Sequence, residues 1–306
     1  MAQNLSENFL HGWINLYKPK GVSSAKSLNI LKKFLPRKHK IGHAGTLDPL
    51  AEGVLPVAIG EATKTIPYVQ ADDKEYIFQI TWGESRSTGD AEGEIISTSP
   101  MRPSLAQIIN ILPKFIGTLR QTPPAYSALK IEGKRAYELA RQGVDFTLPS
   151  RTVQIHFLEI LEDIPEKTTT FKVSCSKGTY IRSLAIDMAK ELATEGYVSS
   201  LIRTRVGGFL QKDALETEKL VASRGKDLLC RSLRTIVDVL DDILAINIEE
   251  QDEQHLRQGR IIQANVSEKF DSQVALCIRA KDKQPVAIVK ISEEGLKPIR
   301  VFNINT

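Results

Sequence analysis

What the sequence lacks narrows the possibilities first. Cysteine is scarce: Cys175, Cys230 and Cys277 are the only three, widely spaced and without a C-x-x-C pair. Such an odd, scattered set argues against a disulfide framework or a thiolate zinc site and predicts reduced, mostly buried thiols. No long apolar run occurs, so no membrane-spanning helix is expected. The opening residues, MAQNLSENFL, have neither a basic n-region nor an apolar h-region. No secretory signal is therefore expected, and a cytoplasmic setting follows. An H-E-x-x-H pattern is missing too. His39 and His43 lie four apart, but Gly42 intervenes and no third ligand is evident, so no metal site is expected.

What is present is ordinary for a globular chain: 42% hydrophobic and 25% charged residues in 306. That length buries a sizeable core and suggests one large domain plus a small one. The formal net charge is only +4, yet it is unevenly spread. Between Asn8 and Leu47 stand eight bases (Lys18, Lys20, Lys26, Lys32, Lys33, Arg37, Lys38, Lys40) and no acid. Residues 114–151 hold seven bases against three acids, whereas residues 238–253 hold seven acids and no base. Clustered positive charge is the footprint of a polyanionic partner, or simply a solvated basic face. The acidic run predicts an exposed connection between two units.

Alternation and β-branched enrichment predict strands over 12–17, 75–82, 151–161 and 168–176, and a strand or loop-strand over 197–206. Residues 54–59 predict a short buried strand or turn despite Pro56. Helical spacing predicts helices over 25–35, capped from Ser23–Ser24, over 104–112, over 134–142, and from a Thr179 cap to about Glu195. Irregular interleaving predicts an α+β fold with a mixed sheet, not a doubly wound one. Short strands within 264–300 predict a small β-rich C-terminal module. The expected division is a catalytic domain at 1–245, with an insertion at about 114–151, and a module at 246–306.

The most informative stretch is residues 42–64, GHAGTLDPLAEGVLPVAIGEATK. Four glycines and two prolines in 23 residues predict a constrained loop rather than a regular element. Asp48 precedes Pro49, which biases it toward an extended backbone and a fixed carboxylate. A bare Asp-Pro is more often a helix cap with proline at the first position. The surrounding residues say otherwise: this segment resembles the catalytic motif of the TruB family of tRNA pseudouridine synthases. Residues 18–24 (KPKGVSS) resemble the family's Lys-Pro-x-Gly-x-Ser/Thr-Ser element. Residues 124–130 (PAYSALK) with 133–141 (GKRAYELAR) resemble its RNA-gripping insertion, and 176–184 (SKGTYIRSL) its third active-site motif. The resemblance spans about residues 12–210. Tyr17 stands where relatives commonly carry acidic or polar residues. Residues 255–260 (HLRQGR) resemble the PUA-type RNA-binding tail of bacterial members.

The resemblance implies isomerisation of the T-loop uridine at position 55 of tRNA. Such a reaction oxidises and hydrolyses nothing, so no cofactor is expected, and a monomer is expected. It implies that Asp48 is the catalytic carboxylate and that Arg182 partners it. Tyr76 would be an active-site aromatic that stacks on uracil or positions the proton-abstracting group, Tyr180 a second pocket aromatic, and Leu201 an apolar wall. His43 would stack inside the RNA loop and hold the flipped uridine out, replacing stacking worth a few kcal/mol. Lys20, Lys64, Lys130, Lys134, Arg135 and Arg141 are candidate phosphate contacts. A cation in the first turn opposes the helix dipole, so something must hold Arg182 there. Two other classes remain open. One is a non-catalytic RNA-binding or assembly factor of the same fold. The other is a carboxylate-dependent nucleoside hydrolase, which needs a second acid opposite Asp48, with Glu52 and Glu61 nearby in sequence.

Overall fold

The strand Lys74–Trp82 lies inside the main sheet and shows how the core forms. Lys74, Tyr76, Phe78, Ile80 and Trp82 alternate into the interior with the two-residue period of a strand. The computed structural model describes residues 10–36, 39–127, 129–131, 133–222, 225–263 and 274–304. Its main sheet has ten strands. In spatial order the principal ones are Leu215–Glu216, Gly12–Lys18, Glu52–Ile59, Gly196–Val206, Lys74–Trp82, Thr168–Cys175, Arg151–Ile164 and Gly117–Gln121. Two neighbour pairs are parallel, Gly12–Lys18 with Leu215–Glu216 and Gly196–Val206 with Glu52–Ile59, and the rest are antiparallel. This is the expected mixed-sheet α+β architecture. The helix Ile181–Glu191 buries Ile181, Leu184, Ala185 and Met188 against Phe78, Ile80, Phe171 and Leu201 of the sheet. Among the described residues no helix is long and apolar enough to cross a membrane. All three cysteines are free, with Cys175 and Cys277 buried.

A separate four-stranded sheet follows, built from Leu244–Ile248, Val274–Arg279, Pro285–Ser292 and Gly295–Val301. It begins two residues ahead of the expected boundary at 246, while Ala264 lies outside the described residues. The two units share apolar packing. Leu276, Ile278, Ile288 and Phe302 join Trp13, Val54, Val69, Val206 and Phe209 in one cluster. Polar ties sit beside it: Lys64 Nζ donates to the Val301 carbonyl at 2.6 Å, and the Asn303 amide donates to Glu61 Oε2 at 2.7 Å.

Several expectations need correcting. Residues 42–64 are not one loop: Ile41–His43 and Glu52–Ile59 are strands, followed by a 3-10 turn at Gly60–Thr65. Pro56 has no N–H to give the sheet, but its carbonyl accepts from the Ala44 amide at 2.9 Å, just past the end of the Ile41–His43 strand. Lys134–Arg135 pairs with Lys130–Ile131 as a hairpin, so the helix there is only Ala136–Arg141. Helix 104–112 contracts to Leu105–Ile111, with Ser104 and Gln107 forming a capping box. Thr179 does not cap its helix. Its hydroxyl donates to the Ser176 carbonyl, and Tyr180 becomes the N-cap residue without a side-chain cap. That helix ends at Glu191 because the chain turns at Ala193 (φ 53°) and enters the sheet at Gly196. The acidic run is not merely an exposed connection, since it contains a sheet strand and the start of the helix Glu250–Arg257. Glu253 there is buried, at 2.8 Å from Arg257 Nη2 and 2.7 Å from Arg279 Nε.

Candidate active site

Asp48 sits in the irregular stretch between the Ile41–His43 and Glu52–Ile59 strands, where the KPKGVSS element fastens the chain. Ser24 Oγ accepts from the Leu47 amide at 2.9 Å and donates to its carbonyl at 3.0 Å. The Pro49 carbonyl accepts from the Gly21 amide at 2.8 Å and from Lys18 Nζ at 3.4 Å. Asp48 therefore stands between two tethered neighbours. Lys18 is fully buried rather than part of a solvated basic face, and burial pushes its ammonium down to about 8. No helix starts at Pro49, so Asp48 is not a cap.

Arg182 reaches Asp48 from the first turn of its helix, with Nη2 at 2.9 Å from Asp48 Oδ2. Two further donors are taken as well: Nη1 donates to the Thr88 carbonyl at 2.7 Å and Nη2 to the Tyr126 carbonyl at 2.9 Å. Asp90 Oδ2 lies 3.6 Å from Nε, with both side chains 4% exposed. These contacts offset the unfavourable helix dipole. Thr88 and Asp90 lie in the connection between the strands Glu84–Arg86 and Ile95–Thr98, which is laid against Val198 by the Ala91 amide and the Gly89 carbonyl. Asp90 escaped sequence reasoning because an isolated Gly-Asp looks like any other turn. Asp48 keeps about a third of its side chain open to solvent (36%). Burial pushes its carboxyl above the ordinary value, and the Asp90 charge adds to this, while Arg182 and Lys18 favour the charged form.

The carboxylate faces a cavity of about 590 Å³. Asp48, Tyr76, Tyr180, Arg182 and Leu201 all line it, brought together from four separate stretches of chain. Tyr180 is held by Gln121, whose amide accepts from the Tyr180 N–H at 2.7 Å and donates to its carbonyl at 3.0 Å. The Arg151 guanidinium lies 4.5 Å from the centre of the Tyr180 ring. Tyr76 is buried, which pushes its hydroxyl above the ordinary value, opposed by the charge of Arg203. Ser127 also lines the cavity, and its buried hydroxyl has no hydrogen-bond partner. It was missed because a lone serine carries no sequence signal.

The remaining expected residues lie elsewhere. His43 ends its strand and is not among the cavity-lining residues. Its Nδ1 is enclosed without a partner, and burial together with Arg203 lowers its basicity, favouring the neutral ring. Lys20, Lys134, Arg135 and Arg141 are exposed, the last three around the 130–135 hairpin and the helix after it. The side chain of Lys130 lies outside the described part, as do Arg37 and Lys38. Lys64 is engaged by Glu61 at 2.6 Å and by the Val301 carbonyl, at the junction with the small sheet. Neither Glu52 nor Glu61 lines the cavity: Glu52 accepts from the Tyr17 hydroxyl at 3.0 Å, and Glu61 pairs with Lys64. His39 accepts from the Leu10 amide at 3.1 Å.

Known proteins resemble this chain in sequence and in fold. The family described as TruB family pseudouridylate synthase (N terminal domain) matches residues 32–181. The tRNA pseudouridine synthase B of Ehrlichia canis (strain Jake) is 43% identical over 301 residues, covering 96% of this chain and 98% of that one. Its counterpart in Caulobacter vibrioides is 39% identical over 311 residues, covering 99% and 100%. Among solved structures, a chain of an H/ACA RNP bound to a substrate RNA containing 2'-deoxyuridine superposes with a TM-score of 0.71 at 22% identity, covering 96% of this chain and 85% of that one. A chain of a Cbf5-Nop10-Gar1 complex gives 0.69 at 23%, covering 96% and 84%. At such identities these two speak for the fold alone. The full-length relatives speak for descent, and on that ground the chain belongs to the TruB family of pseudouridine synthases.

Proposed function

We propose that this protein isomerises uridine to pseudouridine at position 55 in the T loop of tRNA, acting as a monomer on a flipped-out base with Asp48 as the nucleophile. The observation that carries the reading is the Asp48–Arg182 pair, 2.9 Å apart in a cavity walled by Tyr76, Tyr180 and Leu201. The reaction breaks the N1–C1′ bond, turns the uracil and rejoins it through C5, releasing the C5 proton. Nothing is oxidised or hydrolysed, so no cofactor is called for. Attack at C1′, attack at C6 and a glycal route all make the same demand: an ionised carboxylate held still in a site poor in water. The buried guanidinium of Arg182 supports the ionised form and fixes its orientation. Tyr76 and Tyr180 offer faces for the extruded uracil, Leu201 an apolar wall, and the Ser127 hydroxyl a free polar contact. His43, outside the cavity and neutral, suits a stacking role within the RNA loop. The exposed Lys20, Lys134, Arg135 and Arg141 suit phosphate contacts, with the small C-terminal sheet as a PUA-like second RNA-binding unit.

With Glu52 and Glu61 engaged away from the cavity, isomerisation is favoured over hydrolysis, which needs a second poised acid and an activated water. The test is incubation with unmodified tRNA, followed by mapping of pseudouridine along the strand. Asp48→Asn is expected to abolish conversion while melting temperature and tRNA affinity hold. Full activity in Asp48→Ala, or release of free uracil, would overturn the proposal.

A further inference from the structure

A second arginine lies buried beneath the active-site loop. Arg203, on the Gly196–Val206 strand, is 1% exposed. In the sheet it is the register partner of Tyr76 on one side and of Gly53 on the other. Its Nε donates to the Val54 carbonyl at 2.7 Å and its Nη2 to the Gly45 carbonyl at 3.0 Å. These carbonyls belong to the two stems of the loop that carries Asp48, one on each side of it. The guanidinium charge also acts on the hydroxyl of Tyr76, its register partner. It makes no ion pair among the described residues, and the Asp48 carboxylate is engaged by Arg182 instead.

The glycines of the motif take on a reason from this arginine. Gly53 has φ +107°, and a Cβ there would stand 2.3 Å from the Arg203 carbonyl oxygen. Gly45 has φ +109°, and its Cβ would stand 3.4 Å from Arg203 Nη1. Both stems therefore approach Arg203 through positions where a side chain is strained or in the way. Burying a cation without an acid partner is costly, so its persistence calls for something a neutral residue could not do. A glutamine could serve one of these carbonyls. A planar group with several fixed donors serves two carbonyls together and keeps its charge beside the phenol.

We propose that Arg203 is a positioning residue for the isomerisation: a buried clasp that holds both stems of the Asp48 loop in fixed relation to its register partner Tyr76. The inference rests on the assignment of Asp48 and Tyr76 made above. Arg203 lies at the cavity wall but is 1% exposed, with two donors turned to the loop carbonyls, so its effect falls on the rate of the chemical step and not on RNA affinity.

The experiment uses the full chain and a tRNA transcript, with single-turnover rate, tRNA Kd and melting temperature measured for Arg203→Lys and Arg203→Gln, each alone and combined with Tyr76→Phe. Lysine keeps the charge and most of the volume but cannot bridge both stems, so it carries the test if the glutamine variant fails to fold. Loosening the loop should slow the rate by about 100-fold, the scale of a catalytic group misplaced by about an ångström, with Kd essentially unchanged. In the double variants the two losses should fall well short of multiplying, because Arg203 and the Tyr76 hydroxyl act as a unit. An unaltered rate in a folded Arg203→Lys protein overturns the proposal. So does a loss that lies in Kd, or one that multiplies fully with that of Tyr76→Phe, which marks a general structural role. An active Asp48→Asn protein sinks the site assignment itself; an inactive one alongside a fully active Arg203→Lys sinks only the clasp.

Discussion

Replacing Arg182 with lysine isolates what the guanidinium contributes. In the structure it makes three hydrogen bonds, at 2.9 Å to Asp48, 2.7 Å to the Thr88 carbonyl and 2.9 Å to the Tyr126 carbonyl, and lies 3.6 Å from Asp90. An ammonium preserves the charge but not the fork: it cannot face Asp48 squarely and still bond both carbonyls. A lost preorganised donor at a reacting centre typically costs about 2.7–4 kcal/mol of the barrier, on the order of 10²–10³ in rate. Each carbonyl left unpaired costs about 1–3 kcal/mol of stability, so the melting temperature should drop as well. Arg182 is 4% exposed behind Asp48, so tRNA affinity should stay within about threefold. Single-turnover release of tritium from C5-labelled uridine gives the rate, and filter binding gives Kd. A folded Arg182→Lys protein at near-normal rate, or one impaired only in Kd, would refute the reasoning.

Three further outcomes are expected. Glu253, held by Arg257 and Arg279, has its carboxyl pulled down to about 2 from an ordinary 4.5. A folded value below the unfolded one makes this a contribution fully present above pH 4.5 and lost as pH falls toward 2, worth about 3 kcal/mol. Urea melts across that range should show the decline, and Glu253→Gln should flatten it; a variant with the same acid profile speaks against it. Phe302→Ala removes a fully buried ring from the core shared by the two sheets and should cost about 3–5 kcal/mol in denaturant unfolding, whereas an unshifted midpoint contradicts the shared core. Finally, if Lys20, Lys134, Arg135 and Arg141 each neutralise one phosphate, log affinity should fall with log salt at a slope of about −3, on the order of 10²-fold over a fourfold rise in salt. A flat titration removes these residues from the interface.

Much of the site could be read one residue at a time. Asp48, Tyr180 and Arg182 fall in stretches distinctive in sequence, the Gly- and Pro-rich segment and the SKGTYIRSL run, whereas Tyr76 and Leu201 sit in ordinary strands and followed only from the family resemblance; all five line the cavity. Strands such as Lys74–Trp82 and the helix capped at Ser23 were equally legible, since burial period and capping chemistry are local properties. Lys64 shows the limit of that reading: inside the motif it resembles any phosphate-seeking lysine, yet it is bound to Glu61 and to a carbonyl 237 residues away.

By itself the sequence determined the periodicities, the breakers and the clustered positive charge, and through them the elements and the family. Only the tertiary structure decided what surrounds the carboxylate: Asp90 and the Thr88 carbonyl behind Arg182, Gln121 gripping Tyr180 in place of a Thr179 cap, Lys18 withdrawn from solvent, and Arg203 between the stems of the loop. The physical reason is that hydrogen bonds and burial depend on which distant segments the sheet order brings side by side, and no local pattern encodes that proximity.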